Sequence, residues 1–311
     1  RSSAGKLEAG NGTFALHLDA SAREFNDLKI PGFARSRHAP ESENGEGKNG
    51  RLGNSSGRQD GGSVGGSYTW DDGYAGLSYS NYDSNYGSPA EQDVRIRMKQ
   101  DHYAFASEIR NLQGPFTSVK LDAGYTDYKH MEIEGGETGT TFKNKGYEAR
   151  VEARHLPIGP FNGVVGAQVS RNEFSALGEE AFVPQTDTNA GALFILEEMQ
   201  ATERLKLSLG GRLEHTNVDP DGKGNARFAN ANKSADFTAG SLSSGAVYTL
   251  TPIWSLAATL GYTERAPTFY ELYANGAHVA TGTYELGDAN LSKEKAVSSD
   301  LALRFDNGTH T

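Results

Sequence analysis

Along most of the chain, apolar and polar residues alternate one by one. Val94, Ile96 and Met98 fall on one side of an extended segment, with Arg95, Arg97 and Lys99 on the other. Tyr147, Ala149, Val151 and Ala153 alternate in the same way with Glu148, Arg150, Glu152 and Arg154, so four consecutive charges share one wet face. Leu205, Leu207, Leu209 and Leu213 oppose Lys206, Ser208, Arg212 and Glu214, and Leu301, Leu303 and Phe305 oppose Arg304. A period of two is the signature of a β-strand. It predicts about twelve strands, near 13–22, 63–70, 73–81, 93–110, 117–132, 141–156, 162–174, 188–201, 203–216, 237–250, 253–265 and 295–306. Several exceed the five or six residues usual in globular sheets and suit tilted membrane spans.

The connections alternate in length. Asp71-Asp72, Asn111 to Phe116, Pro157 to Phe161, Thr202 and Thr251-Pro252 are short, whereas 23–62, 82–92, 133–140, 175–187, 217–236 and 266–294 are long. Every tight turn then falls at one rim and every long loop at the other, the arrangement of an outer-membrane barrel. The expected fold is all-β: an antiparallel transmembrane β-barrel domain over 1–311 with its long loops outside the cell. Twelve strands leave two open edges, which lipid does not tolerate. The chain is therefore expected to be the middle of a larger barrel, of about 22 strands, with a closed twelve-stranded barrel as the alternative. Aromatic residues near the strand ends (Tyr68, Trp70, Tyr79, Tyr82, Tyr125, Tyr128, Trp254, Tyr262) suit interfacial girdles, or simply strand propensity.

Composition narrows the choice. Only 36% of the residues are hydrophobic and mean hydropathy is −0.60, too polar for a soluble core of this length but fitting a barrel that turns every second residue to lipid. A net charge of −10 disfavours nucleic-acid binding, which needs a basic face. No cysteine is present, so disulfides and thiolate metal sites are excluded. No apolar run is long enough for a membrane helix, and residues 1–10 lack a signal-peptide pattern. Gly61 to Gly66 opens a strand and lacks the Lys-Ser/Thr ending of a phosphate loop, and no nucleophile or zinc-protease motif occurs, so no enzyme is expected.

Arg265-Ala266-Pro267-Thr268-Phe269-Tyr270-Glu271-Leu272-Tyr273, followed by Thr283 to Asp288 and by Leu291-Ser292-Lys293-Glu294, resembles a signature of TonB-dependent receptors, in which an R-x-P…ELY run leaves a strand and an N-L-x-x-E run starts the next. Ile30 to Phe33, Asn81 to Tyr86, Val94 to Lys99, Gly124 to Tyr128 and Glu134 to Glu137 look like the ZnuD-type zinc-uptake receptors within that superfamily. The resemblance implies a monomer among outer-membrane lipids that takes up zinc across the bacterial outer membrane, energised through TonB. It also implies a plug domain, which this sequence does not contain. Zinc enters as cargo, and no cofactor is expected. A ferric-siderophore, haem or cobalamin receptor, a passive porin and a surface adhesin are the alternatives; Tyr86, Tyr270 and Tyr273 in the loops suit siderophores.

Without cysteine, zinc must take imidazole nitrogens and carboxylate oxygens. Eight histidines are available. Val119, Leu121, Ala123 and Tyr125 share odd parity, so Lys120, Asp122, Thr126 and Tyr128 should face the lumen, with His130 and Glu132 in phase and Glu134 beyond. Residues two apart on one face lie about 6–7 Å apart, within reach of one cation. His278, in the receptor-like loop, and His38, in the first long loop, complete the candidate metal set. A solvated loop histidine is the ordinary alternative for both. His17 should face the lumen, and His155 and His215 the bilayer interfaces.

Overall fold

The computed structural model describes residues 1–34, 49–178, 181–223, 226–229, 231, 233–278 and 282–308. Their main element is one antiparallel sheet of thirteen strands in which each strand pairs with the next along the chain. In order these are β1 (Ser2–Gly10), β2 (Phe14–Phe25), β3 (Gly57–Trp70), β4 (Gly73–Ser88), β5 (Glu91–Arg110) and β6 (Phe116–Glu134). The sheet continues through β7 (Glu137–His155), β8 (Phe161–Gly178), β9 (Gln185–Thr202), β10 (Leu205–Asp221), β11 (Ala235–Thr251) and β12 (Trp254–Arg265). After β12 the chain makes a short helix α1 (Phe269–Tyr273) and a separate hairpin of β13 (Asn275–His278) and β14 (Thr283–Leu286). It then returns to the sheet as β15 (Glu294–Phe305).

The two faces of the sheet are opposite in character. Leu77, Leu193, Leu242 and Leu301 are each about two-thirds exposed or more on one face. On the other, side chains of non-adjacent strands meet, as they can only on a concave surface. Arg212 of β10 donates to Gln168 of β8 at 3.1 Å, and the Arg150 guanidinium of β7 lies 4.0 Å above the Phe194 ring of β9. Gly166, between them on β8, leaves the room that ring occupies. Lys120–Asp122, Arg150–Glu152 and Lys206–Glu198 pair on this concave side. His17 joins it, between Glu8 and Asp19. An apolar exterior around a charged interior is stable only if the exterior meets lipid.

Aromatic belts bound the apolar exterior. Near the tight turns Phe14, Tyr68 and Trp70 are in contact, as are Trp254 and Phe305. At the other limit Tyr79, Tyr103, Tyr125 and Tyr147 occupy one cross-strand row over four strands. From Trp254 to Tyr262 strand β12 climbs roughly 26 Å, which becomes about 20 Å of height at the usual tilt.

Two features differ from expectation. β1 was not among the predicted strands: Leu7 is its one large apolar residue, so the period of two is almost silent there. Several segments expected as loops are largely paired strand. β4 and β5 run on until only Pro89-Ala90 separates them, and β6 and β7 until only Gly135-Gly136 does. Both glycines have positive φ, 57° and 96°, as a two-residue hairpin turn requires. Above the bilayer a strand needs no apolar face, so pairing persists where the hydrophobic alternation stops.

Candidate functional site

The signature segment resolves into one interlocked structure at the outer rim. Pro267 ends β12's run, and Thr268 starts α1. Glu271 reaches back so that one carboxylate oxygen accepts from both the Thr268 amide and its hydroxyl, each at 2.7 Å, a capping arrangement. Arg265 clamps the same carboxylate with two donors at 2.9 and 3.0 Å and holds Glu294 of β15 at 2.6 Å. Arg265 and the Thr268 donors hold the Glu271 carboxyl at about 2, far below the usual carboxylate range. Lys293 donates to Glu264 of β12 and to the Thr238 carbonyl, both at 2.5 Å. The R-x-P…ELY and L-x-K-E residues are thus each other's partners, closing the loop on its two parent strands.

Under this clamp sits an apolar cluster of Val218, Phe228, Ala231, Leu272 and Tyr273. The β13–β14 hairpin is tied to it: the Asn275 amide donates to the Phe182 carbonyl, Gly287 to Ala274 and Asp288 to Glu271. At Gly287 a Cβ would stand 2.7 Å from the Leu272 carbonyl carbon, so only glycine fits. His278 is held by Glu285 across the hairpin at 2.7 Å and lies nearly parallel to the Phe182 ring, 5.0 Å away.

A second group lines the concave face below. His130 stacks on Phe142 at 4.5 Å; Phe174 follows at 6.5 Å and Phe269 of α1 at 4.7 Å beyond it. Tyr128 meets the edge of His130 and its hydroxyl lies 2.9 Å from Nδ1. Burial pushes the His130 imidazole below its ordinary pKa, so it is neutral near pH 7. Met98 faces His130 across the β5–β6 ladder. This row joins residues far apart in sequence through three strand pairings, which the sequence alone did not reveal.

Of the candidate ligands, Glu132 follows His130 on β6 beside Ile96 and Thr140, while Glu134 closes the strand beside Glu137 at the exposed turn. His278 belongs to the separate hairpin, where its carboxylate partner is Glu285 rather than Glu132 or Glu134. His38 lies outside the described residues. Among the described residues no group of three or more histidine or carboxylate side chains is close enough to hold a metal ion. The structure brings together two imidazole centres, His278 with Glu285 and His130 with Tyr128 and Phe142, but not the whole expected set. Of the other histidines, His155 sits beside the tight turns, between the Leu156 carbonyl and Glu197, and His215 contacts Thr238.

Residues 8–311 match the family model described as TonB dependent receptor-like, beta-barrel. The chain belongs to this family. Solved structures with the same fold include the copper transporter OprC, with a TM-score of 0.77 at 18% identity over 98% of this chain and 49% of the other. The FrpB iron transporter from Neisseria meningitidis, as apoprotein, has a TM-score of 0.77 at 12% identity over 99% and 50%. The ferric yersiniabactin uptake receptor FyuA from Yersinia pestis has 0.66 at 14% over 99% and 50%. At such identities the likeness shows the fold alone. The chain spans about half the length of these proteins. In this TonB-dependent receptor barrel, the signature residues act as a structural clamp at the rim.

Proposed function

We propose that this barrel belongs to a receptor that takes up a metal ion, zinc in the first instance, across the bacterial outer membrane, with transport energised by TonB through a plug domain. Family membership supports the transport class. The observation that carries the choice of a metal is His130, an imidazole kept neutral by burial on the concave wall below the loop roof. A neutral imidazole presents a lone pair to zinc without proton competition. His278 with Glu285 on the hairpin offers a nitrogen and a carboxylate nearer the outside, Glu132 and Glu134 on β6 are further donors, and His38 of the first long loop, outside the described residues, is a further donor by residue type alone. Cargo would be taken up at the loops and handed inward; the Glu285 carboxylate fixes the orientation of the His278 ring as a ligand.

The test is zinc titration of the intact receptor, with His130, Glu132, Glu134, His278 and His38 changed singly to alanine. His130→Ala and His278→Ala are expected to weaken zinc binding at least tenfold, and unchanged affinity in both discards the site. A second reading rests on the aromatic row of Tyr128, Phe142, Phe174, Phe269 and Tyr270, which suits the flat organic shell of a ferric chelate. Growth under zinc limitation against growth under iron limitation, with the gene deleted, separates the two.

A further inference from the structure

Above the tyrosine row, the lipid-side face of the sheet carries an unusual arrangement of charge. Continuing each strand outward from Tyr79, Tyr103, Tyr125 and Tyr147 on the same parity, the next cross-strand row holds Asn81, Asp101, Asp127 and Lys145, and the one beyond it holds Asp83, Lys99, Lys129 and Lys143. Lys99, Lys129 and Lys143 therefore stand directly opposite one another on three adjacent strands, and all three are exposed. Arg97, also exposed, follows one row further out.

Like charges directly opposite in a ladder are destabilising, and the neighbouring acids neutralise only Lys99 of this set, through Asp101. Asp101 accepts the Tyr79 hydroxyl at 2.6 Å and the Asn81 amide at 3.0 Å, and stands 3.4 Å from Lys99. Asp127 is paired with Lys145 at 3.4 Å. Asp83 lies opposite Lys99 only, and Asp60 beyond it is taken by Arg58 at 2.7 Å. Lys129 and Lys143 make no ion pair among the described residues. In a chain of net charge −10, a row of three stacked lysines facing outward, two of them without an ion pair among the described residues, calls for an anion from outside.

The position indicates which anion. The lysine row stands about 13 Å along the strand from the tyrosine row, and the tilt and the flexible side chains bring the ammonium groups closer to the bilayer. Tyrosine rings of such belts sit at the headgroup level, so the ammonium groups meet the phosphate layer of the outer leaflet. We infer that Lys99, Lys129 and Lys143 form a docking site for the phosphate groups of a phosphorylated glycolipid in the outer leaflet, seated against the row Tyr103, Tyr125 and Tyr147. The inference rests on the outer-membrane placement and not on the identity of the cargo.

Binding of lipid A, a bis-phosphorylated glycolipid, to the intact receptor in detergent tests this by native mass spectrometry. The wild type is expected to retain lipid A, and the triple variant Lys99→Gln, Lys129→Gln, Lys143→Gln to bind it roughly a hundredfold more weakly. The triple arginine variant keeps the charge and should bind within a fewfold of wild type, while Lys129→Gln alone should give an intermediate loss. Dephosphorylated lipid A should bind weakly to every form, and millimolar inorganic phosphate should not displace lipid A. Equal retention of lipid A by the triple glutamine variant, or equal binding of dephosphorylated lipid A by wild type, overturns the inference, as does displacement by free phosphate. Zinc titration of the same variants is expected to be unchanged, so a failure here and a failure of the cargo reading are separable.

Discussion

Arg265 is 45% exposed, yet its five donors are committed to Glu271, Glu294 and the Ala266 carbonyl. Exposure lets solvent screen the charge, so the clamp contributes about 1 kcal/mol rather than the several a buried pair would; its importance is local, because it closes a long loop. Arg265→Ala should leave the barrel folded while cleavage of the 266–293 segment by added protease rises several-fold; an unchanged cleavage rate would remove the clamp's role. The Glu271 carboxyl, at about 2 in the folded state against an ordinary value near 4.5, sets the pH window. Its folded pKa is depressed, so the stabilisation is complete above the ordinary value and is lost as pH falls toward about 2. Protection of the loop should decline over that window in wild type and stay flat in Glu271→Gln. For His130 the sense differs: burial favours the neutral ring, so an unfolded chain takes up the proton first, and acidification below about 6.5 weakens the native state there. Zinc affinity should therefore hold level down to that pH in wild type before protons compete, and His130→Ala should lose the dependence.

At the level of elements, the strands were legible wherever one side met lipid, because Leu121, Val151, Leu193 and Leu213 must alternate with Asp122, Glu152, Ala192 and Arg212. Where strands rise above the bilayer, both faces are wet, and residues such as Asp83, Ser84, Asn85 and Glu134 read as loop although they are paired in ladder. β1 escaped notice for a related reason: Ala, Gly and Ser fill its lipid side apart from Leu7. Within the candidate site, the parity argument put His130 and Glu132 on the concave face, and the signature marked the rim. What a single strand's pattern does not encode is which strand lies beside it, so the stacking of His130 on Phe142 and the partnership of His278 with Glu285 appear only in the folded chain. Gly287 gives an element-scale test. Gly287→Ala sets a methyl against the Leu272 and Tyr273 backbone, so the β13–β14 hairpin should detach and chymotryptic cleavage within 266–293, which holds Phe269, Tyr270, Tyr273 and Tyr284, should rise while the strands' circular dichroism is kept. Wild-type cleavage in that variant would mean the roof has slack the contact does not suggest.

For the molecule as a whole, the decisive property is that its greasiest surface is its outermost. Leu193 and Leu213 are 67% and 57% exposed, and they share a cross-strand row with Leu121 and Val151 between the two aromatic belts. In water such a surface would drive aggregation, since an apolar patch of that extent is rarely left uncovered. In a bilayer the same row contributes to stability, and a charge placed there must be dragged through acyl chains. Leu193→Arg should therefore cost about 2–4 kcal/mol when the intact receptor is unfolded reversibly from lipid vesicles. Its neighbour Ala192, 6% exposed on the concave side, supplies the control through Ala192→Ser, where a small hydroxyl in a polar interior should change stability by less than about 1 kcal/mol. If the two substitutions were equally mild, the outward leucines would not be facing lipid, and a protein surface would have to cover them instead.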